Sequence, residues 1–259
     1  MDAILLAGGI PTGEDPLAEI CQGNPKALLD VAGKPMAQWV LDAMDAASSI
    51  DRVFITGLDA DCGLQSSKLA AFTGDQGGML QNAMAGFTHV AQAGGKNGHV
   101  AIASCDIPTI RAEMINWRVN IAMQTDSDLD YAVVKREVME TRFPGSKRSF
   151  VPFRDAQVCG GDFNVARLSA IRDDALWERL VSARKNALKQ ASLLGFDTLI
   201  LLLLRRLTLE SAESIISKRL VLVGKLQISP YAELAMDIDK PHQLEIVRQD
   251  LATRKEALL

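Results

Sequence analysis

AILLAGGIPTGEDPLAEICQGNPKALLDVAGKPM spans Ala3 to Met36, and its first seven residues set the fold to expect. A five-residue apolar run ends abruptly at Gly8-Gly9, a polar stretch follows, and Lys26 and Lys34 come before the next apolar pattern. A short apolar run closed by a turn signal reads as a strand buried on both faces. In PMAQWVLDAMDAA, the residues Met36, Trp39, Val40, Ala43 and Met44 recur at three- and four-residue spacing. That period predicts a helix lying on the sheet.

The alternation continues through RVFIT from Arg52, HVAIAS from His99 and DYAVVKR from Asp130, with helix-like patterns between most of them. Strands separated by helices predict a mostly parallel, layered α/β sheet. After Ser149 the pattern changes. SFVPF reads as a strand, CGGDFNVARL places a glycine turn before another, and a helical insertion is expected at about residues 173–218. RLVLVGKLQI from Arg219 restores strand character, and PHQLEIVRQDLATR closes with Leu244, Val247 and Leu251 on one helix face. Without repeats or an obvious linker, residues 1–259 read as a single domain carrying that insertion.

The composition sets limits on partners. With 48% hydrophobic and 23% charged residues, the chain of 259 residues is a folded protein with an aliphatic core. A net charge of −4 gives no general attraction to nucleic acid, which requires clustered Lys and Arg. Cys21, Cys62, Cys105 and Cys159 stand too far apart for a zinc motif or a disulfide scaffold, and read as reduced thiols of a cytoplasmic protein. The N-terminus lacks the layout of a secretory signal. TLILLLL, from Thr198 to Leu204, is far short of the roughly 20 residues that span a bilayer and reads as a buried helix. No membrane partner is expected.

Ligands of open α/β sheets bind beyond the carboxyl ends of the strands, which is where Gly8-Gly9 stands. Glycines let backbone N–H groups approach a phosphate, and a following lysine can neutralise it; the alternative is a plain tight turn. The segment is neither a Walker loop nor the GxGxxG pattern. In SCDIP, Asp106 follows a strand and can hold Mg²⁺ against phosphate oxygens, or serve as a loop or cap residue. In ELAMDIDKP, Asp237 and Asp239 would share one face of a strand and approach the same metal, or form a surface pair. DSDLD from Asp126 reads as a solvated turn. His89, His99 and His242 show no ligand spacing.

Taken together, LAGG, PKALLDVAGKPM, ASCDIP and MDIDKPHQL, with weaker matches at GGMLQNAMAGF and CGGDFN, resemble the MobA-like nucleotidyltransferase family. Its relatives nucleotidylate molybdopterin, methylerythritol phosphate, phospholactate and sugar phosphates. The resemblance implies a Rossmann-like three-layer α/β/α sandwich with a mixed, mostly parallel sheet of the nucleotide-diphospho-sugar transferase type. It further implies Mg²⁺-dependent transfer of NMP from an NTP to a small phosphorylated acceptor, with release of pyrophosphate.

By that resemblance, Leu6, Ala7, Gly8, Gly9, Lys26, Gly78 and Asp106 bind nucleotide, and Lys26 and Asp106 are catalytic. Asp106 and Asp237 hold the metal, with Asp239 close behind. Gly161, Asp162 and Asn164 face the acceptor, and Arg142, Lys147 and Arg148 are candidates for its phosphate. The family usually carries an arginine after the glycine pair, whereas none occurs between Gly9 and Lys26, so that charge comes from elsewhere or is absent. Two alternatives stay open at this point: a glycosyltransferase of the related A fold using a sugar nucleotide, and a non-catalytic nucleotide-binding regulator. Homo-oligomerisation is compatible with all three.

Overall fold

The computed structural model describes residues 1–94, 98–172, 204–220 and 222–256. The chain begins with β1 (Asp2–Leu6), a short α1 (Ala18–Cys21), and a hairpin of β2 (Asp30–Val31) and β3 (Lys34–Pro35) leading into α2 (Met36–Ala46). There follow β4 (Arg52–Thr56), β5 (Leu69–Thr73), α3 (Met79–Gln92), β6 (His99–Ser104), α4 (Ala112–Ala122), β7 (Leu129–Lys135) and α5 (Arg136–Arg142). Then come β8 (Val151–Pro152), β9 (Gln157–Gly160), β10 (Phe163–Arg167), α6 (Leu209–Leu220), β11 (Gly224–Ser229) and α7 (Pro241–Glu256).

The main sheet runs β5-β4-β1-β6-β10-β7-β9-β8, with β11 added along β7. β5, β4, β1 and β6 are mutually parallel, and β11 is parallel to β7. β10 enters antiparallel between β6 and β7, so the sheet is mixed, as expected.

Alternation along β1 divides the core in two. Ala3 and Leu5, with Val53, Ile55, Ala101 and Ala103, meet Val40 and Met44 of α2, Ile115 of α4, and Leu244, Val247 and Leu251 of α7. Ile4, Phe54 and Val100 face the other way, onto Phe87 and Val90 of α3. A sheet buried on both faces needs strands that are apolar at consecutive positions, which is why AILLA and HVAIAS read as unbroken apolar runs. The result is helix, sheet, helix.

Two expectations change, and a third falls largely outside the described residues. The strand expected from Arg219 starts only at Gly224, because α6 carries the chain to Leu220. Asp130 of DSDLD is not solvated but buried, in an ion pair with Arg118 of α4 at 2.7 Å, while Asp126 is exposed as expected. Of the helical insertion and TLILLLL, residues 173–203 lie outside the described residues, whereas Leu204 is exposed in a turn and Leu209–Leu220 is helical. Among the described residues no helix is long and apolar enough to cross a membrane, and all four cysteines are free thiols.

Candidate active site

Because β4, β1 and β6 are parallel and in register, Thr56, Leu6 and Ser104 end at one edge. The loops leaving that edge build the site. The N–H of Ala7 donates to Thr56 O at 2.8 Å, and that of Cys105 to Leu6 O at 3.0 Å, so Leu6 and Ala7 tie the three strand ends together. Gly8 and Gly9 then emerge exposed, with Gly9 at φ +106°, and their N–H groups donate to no described residue. The loop returns to donate Lys26 N–H to Gly9 O at 3.1 Å. That closure places a lysine beside the glycines despite the intervening residues.

Gly8 is required sterically. A Cβ there would sit 2.2 Å from Asn82 Nδ2 and 3.1 Å from Gly57 Cα. Gly57, at φ +96°, would with a Cβ collide with the backbone of Gly8 at 2.2 Å. Asn82 is buried on α3. Its Nδ2 donates to Asp75 Oδ1 at 2.9 Å and its Oδ1 accepts Gln76 N–H at 2.8 Å, fixing the loop before α3 against the first glycine loop. Gly78 opens α3 in extended backbone and accepts the Asn82 N–H through its carbonyl. Asp75 and Gly57 stand outside the motifs quoted from the sequence, and Asn82 lies within GGMLQNAMAGF, but the packing contact between two loops that joins all three is not visible in any linear motif.

The charged centre forms where the β1 loop meets the end of β6. Lys26 Nζ donates to Asp106 Oδ2 at 2.9 Å and to Asp239 Oδ1 at 3.0 Å. Burial works against the Lys26 charge, but Asp106 and then Asp239 outweigh it, and its pKa is held above the ordinary lysine value. The other Asp106 oxygen, Oδ1, is buried with no hydrogen-bond partner. A buried carboxylate oxygen left unpaired is costly unless a cation or donor meets it. Cys105 next door is raised to about 12, first by burial and then by Asp106, so it stays a neutral thiol rather than a nucleophile.

Asp237 and Asp239 do not share a strand face. They lie in an irregular segment after the Ala232–Ala235 turn, docked by Ile238 N–H on Asp106 O at 3.0 Å. Asp237 is buried in an ion pair with Arg148, whereas Asp239 joins Lys26 and Asp106. The structure therefore gathers Asp106 and Asp239 about Lys26, while the carboxylate of Asp237, the partner expected from sequence, is engaged by Arg148. Among the described residues no group of three or more His, Cys, Asp or Glu could hold a metal. Two carboxylates completed by substrate phosphate oxygens and water would suit Mg²⁺, which seldom takes an all-protein cage.

On the expected acceptor side, β9 and β10 share one edge of β7 and break at Gly161-Asp162. A Cβ on Gly161 would lie 2.9 Å from Ala132 Cβ. Asn164 commits its amide to the bend, accepting Ala132 N–H at 2.8 Å and donating to Gly161 O at 3.0 Å. Asp162 accepts Ser104 N–H at its carbonyl at 2.9 Å, which puts it at the end of β6 beside the charged centre. Gly161 and Asn164 thus build the bend that delivers Asp162. Arg142 is occupied elsewhere, bridging Glu233 at 2.8 Å and Asp250 at 2.6 Å. Lys34 turns to Asp42 and lies 4.6 Å over the Trp39 ring, away from the site.

Residues 3–150 match the MobA-like NTP transferase domain. A hypothetical transferase from Thermus thermophilus shares 32% identity at a TM-score of 0.81, over 94% of this chain and 98% of that one. At 13% identity the fold alone is shared with 4-diphosphocytidyl-2C-methyl-D-erythritol synthase from Anaerococcus prevotii DSM 20548, TM-score 0.58 over 96% and 95% of the two chains. It is likewise shared with a CMP:2-keto-3-deoxy-manno-octonic acid synthetase complexed with CTP, at 13% identity and TM-score 0.55 over 98% and 100%. No curated protein sequence matches the chain.

Proposed function

Since the chain belongs to the MobA-like NTP transferase family and is a nucleotidyltransferase, we propose that it transfers NMP from an NTP to the phosphate of a small phosphorylated acceptor. An acceptor phosphate oxygen forms a bond to the α-phosphorus while the bond to the bridging oxygen of the β-phosphate breaks, and pyrophosphate leaves with the electron pair. The attacking phosphate is already an anion, so the reaction calls for alignment and charge neutralisation more than for a protein base.

The observation that carries this reading is Lys26 Nζ held between Asp106 and Asp239 beneath an exposed glycine loop. In use, the N–H groups of Gly8 and Gly9 and the Gly77-Gly78 turn hold phosphates and base, and Lys26 neutralises charge that grows on the leaving group. Mg²⁺ would be held by Asp106, whose unpaired Oδ1 suits a cation, and by Asp239 in preference to Asp237. It would supply Lewis-acid polarisation of the phosphates.

The test is pyrophosphate release with each of the four NTPs, with and without Mg²⁺, against sugar 1-phosphates, methylerythritol phosphate and molybdopterin. Release that requires one NTP, one acceptor and Mg²⁺ is expected. An NTP that binds but yields pyrophosphate with no acceptor would overturn the transferase in favour of a nucleotide-binding regulator.

A further inference from the structure

A cavity of about 330 Å³ opens between α5 and the loop that follows it, walled by Arg136, Glu140, Ser146, Lys147, Arg148 and Phe150. Its wall holds three cations against one carboxylate. That carboxylate is already engaged, since Arg136 Nε lies 2.7 Å from Glu140 Oε1. Lys147 makes no ion pair with a described residue and sits in left-handed backbone at φ +50°. Arg148 is largely buried, bound to Asp237 through Nη1, and its Nε is buried without a hydrogen-bond partner. The same guanidinium also hydrogen-bonds Cys159, so it enters the wall as a fixed, preorganised cation.

Two links join this cavity to the carboxylates. Arg148 holds Asp237, whose neighbour Ile238 is bonded to Asp106 O. Gln243, buried at the start of α7, accepts Asp239 N–H at 3.0 Å and donates to Ser146 O at 3.4 Å. The basic loop and the Asp237–Asp239 segment therefore stand as one unit. The ring of Phe150, with the Arg136 guanidinium 5.3 Å from its centroid, gives the cavity one apolar wall.

We infer that Arg148 and Lys147 receive the phosphate of a small phosphomonoester acceptor, with its carbon skeleton against Phe150. This rests on the transferase reading, and it identifies which cations serve the acceptor in a chain that has no arginine between Gly9 and Lys26. The volume is at the low end for a ligand site, which suits a phosphorylated polyol or monosaccharide.

The probe is glycerol 3-phosphate, titrated by thermal shift into the full chain without Mg²⁺, with separate NTP titrations. Lys147→Ala, and the paired change Arg148→Gln with Asp237→Asn that leaves no buried lone carboxylate, should each weaken the probe about tenfold, the usual scale for one charge-assisted contact. Both should keep NTP affinity within about twofold, while Lys26→Met should do the reverse. A wild-type chain indifferent to the probe, or variants that bind it normally, would overturn the inference. Loss of NTP affinity in the Arg148 and Lys147 variants would also overturn it. A wild-type chain that binds the probe at this loop but no NTP would instead defeat the transferase reading alone.

Discussion

Lys26 and Asp106 stand 80 positions apart and meet at 2.9 Å, so at the residue scale the site is a product of strand register. The lysine pKa is raised, so its stabilising contribution is full below the ordinary lysine value and is lost only as pH climbs through the folded one. Lys26 therefore remains an ammonium throughout the neutral range, and any activity lost on the acid side arises from other groups. Asp106→Asn keeps the shape and one acceptor for Lys26 but removes the charge. It should lower turnover by about 10²–10³-fold with the circular dichroism spectrum unchanged, and equal turnover would sink the assignment. Gly57→Ala makes the opposite kind of change. It forces a Cβ to within 2.2 Å of Gly8 backbone at a position with φ +96°, so a urea midpoint should report a loss of about 1–3 kcal/mol.

Among elements, β10 carries the most consequence. It is antiparallel between β6 and β7, and Arg118 of α4 clamps it from one face, donating to Phe163 O at 3.2 Å and to Asp130 O at 2.6 Å while pairing with the Asp130 carboxylate. Both partners are buried, and burial lowers the Arg118 pKa. Removing only one leaves a bare charge inside. Arg118→Met should cost about 3–5 kcal/mol in chemical denaturation, and adding Asp130→Leu should recover most of it. This pair also marks where the sequence ceased to be legible. AILLA, RVFIT and HVAIAS announce themselves because both their faces are buried, and Gly8, Gly9, Lys26 and Asp106 because they sit at the ends of such strands. Asp130 closes a polar string, DSDLD, whose first member Asp126 does face solvent. The split between Asp237 and Asp239 was equally hidden, because it follows from irregular backbone and from an Arg148 that is distant in sequence.

Across the whole molecule, the two ends of the parallel strands have different duties. The carboxyl edge carries the glycine loops, Lys26, Asp106 and Asp239, with an unpartnered carboxylate oxygen and exposed N–H groups. The amino edge carries pairs that are already satisfied. Asp2 is fully buried and takes Arg52 in a fork, Nε to Oδ1 at 2.9 Å and Nη2 to Oδ2 at 2.6 Å, across the β1–β4 register. The N-terminal ammonium likewise meets Asp51 at 3.0 Å. Function should therefore separate from stability along the strand axis. Arg52→Met strips the partner from a buried carboxylate and should lose about 1–3 kcal/mol, lowering Tm by several degrees. Its kcat and KM should match the parent below that transition, because five-residue strands lie between Arg52 and the site. A fall in kcat at a temperature where Arg52→Met is still folded would show that the amino edge tunes the chemistry, and would contradict this division of the sheet.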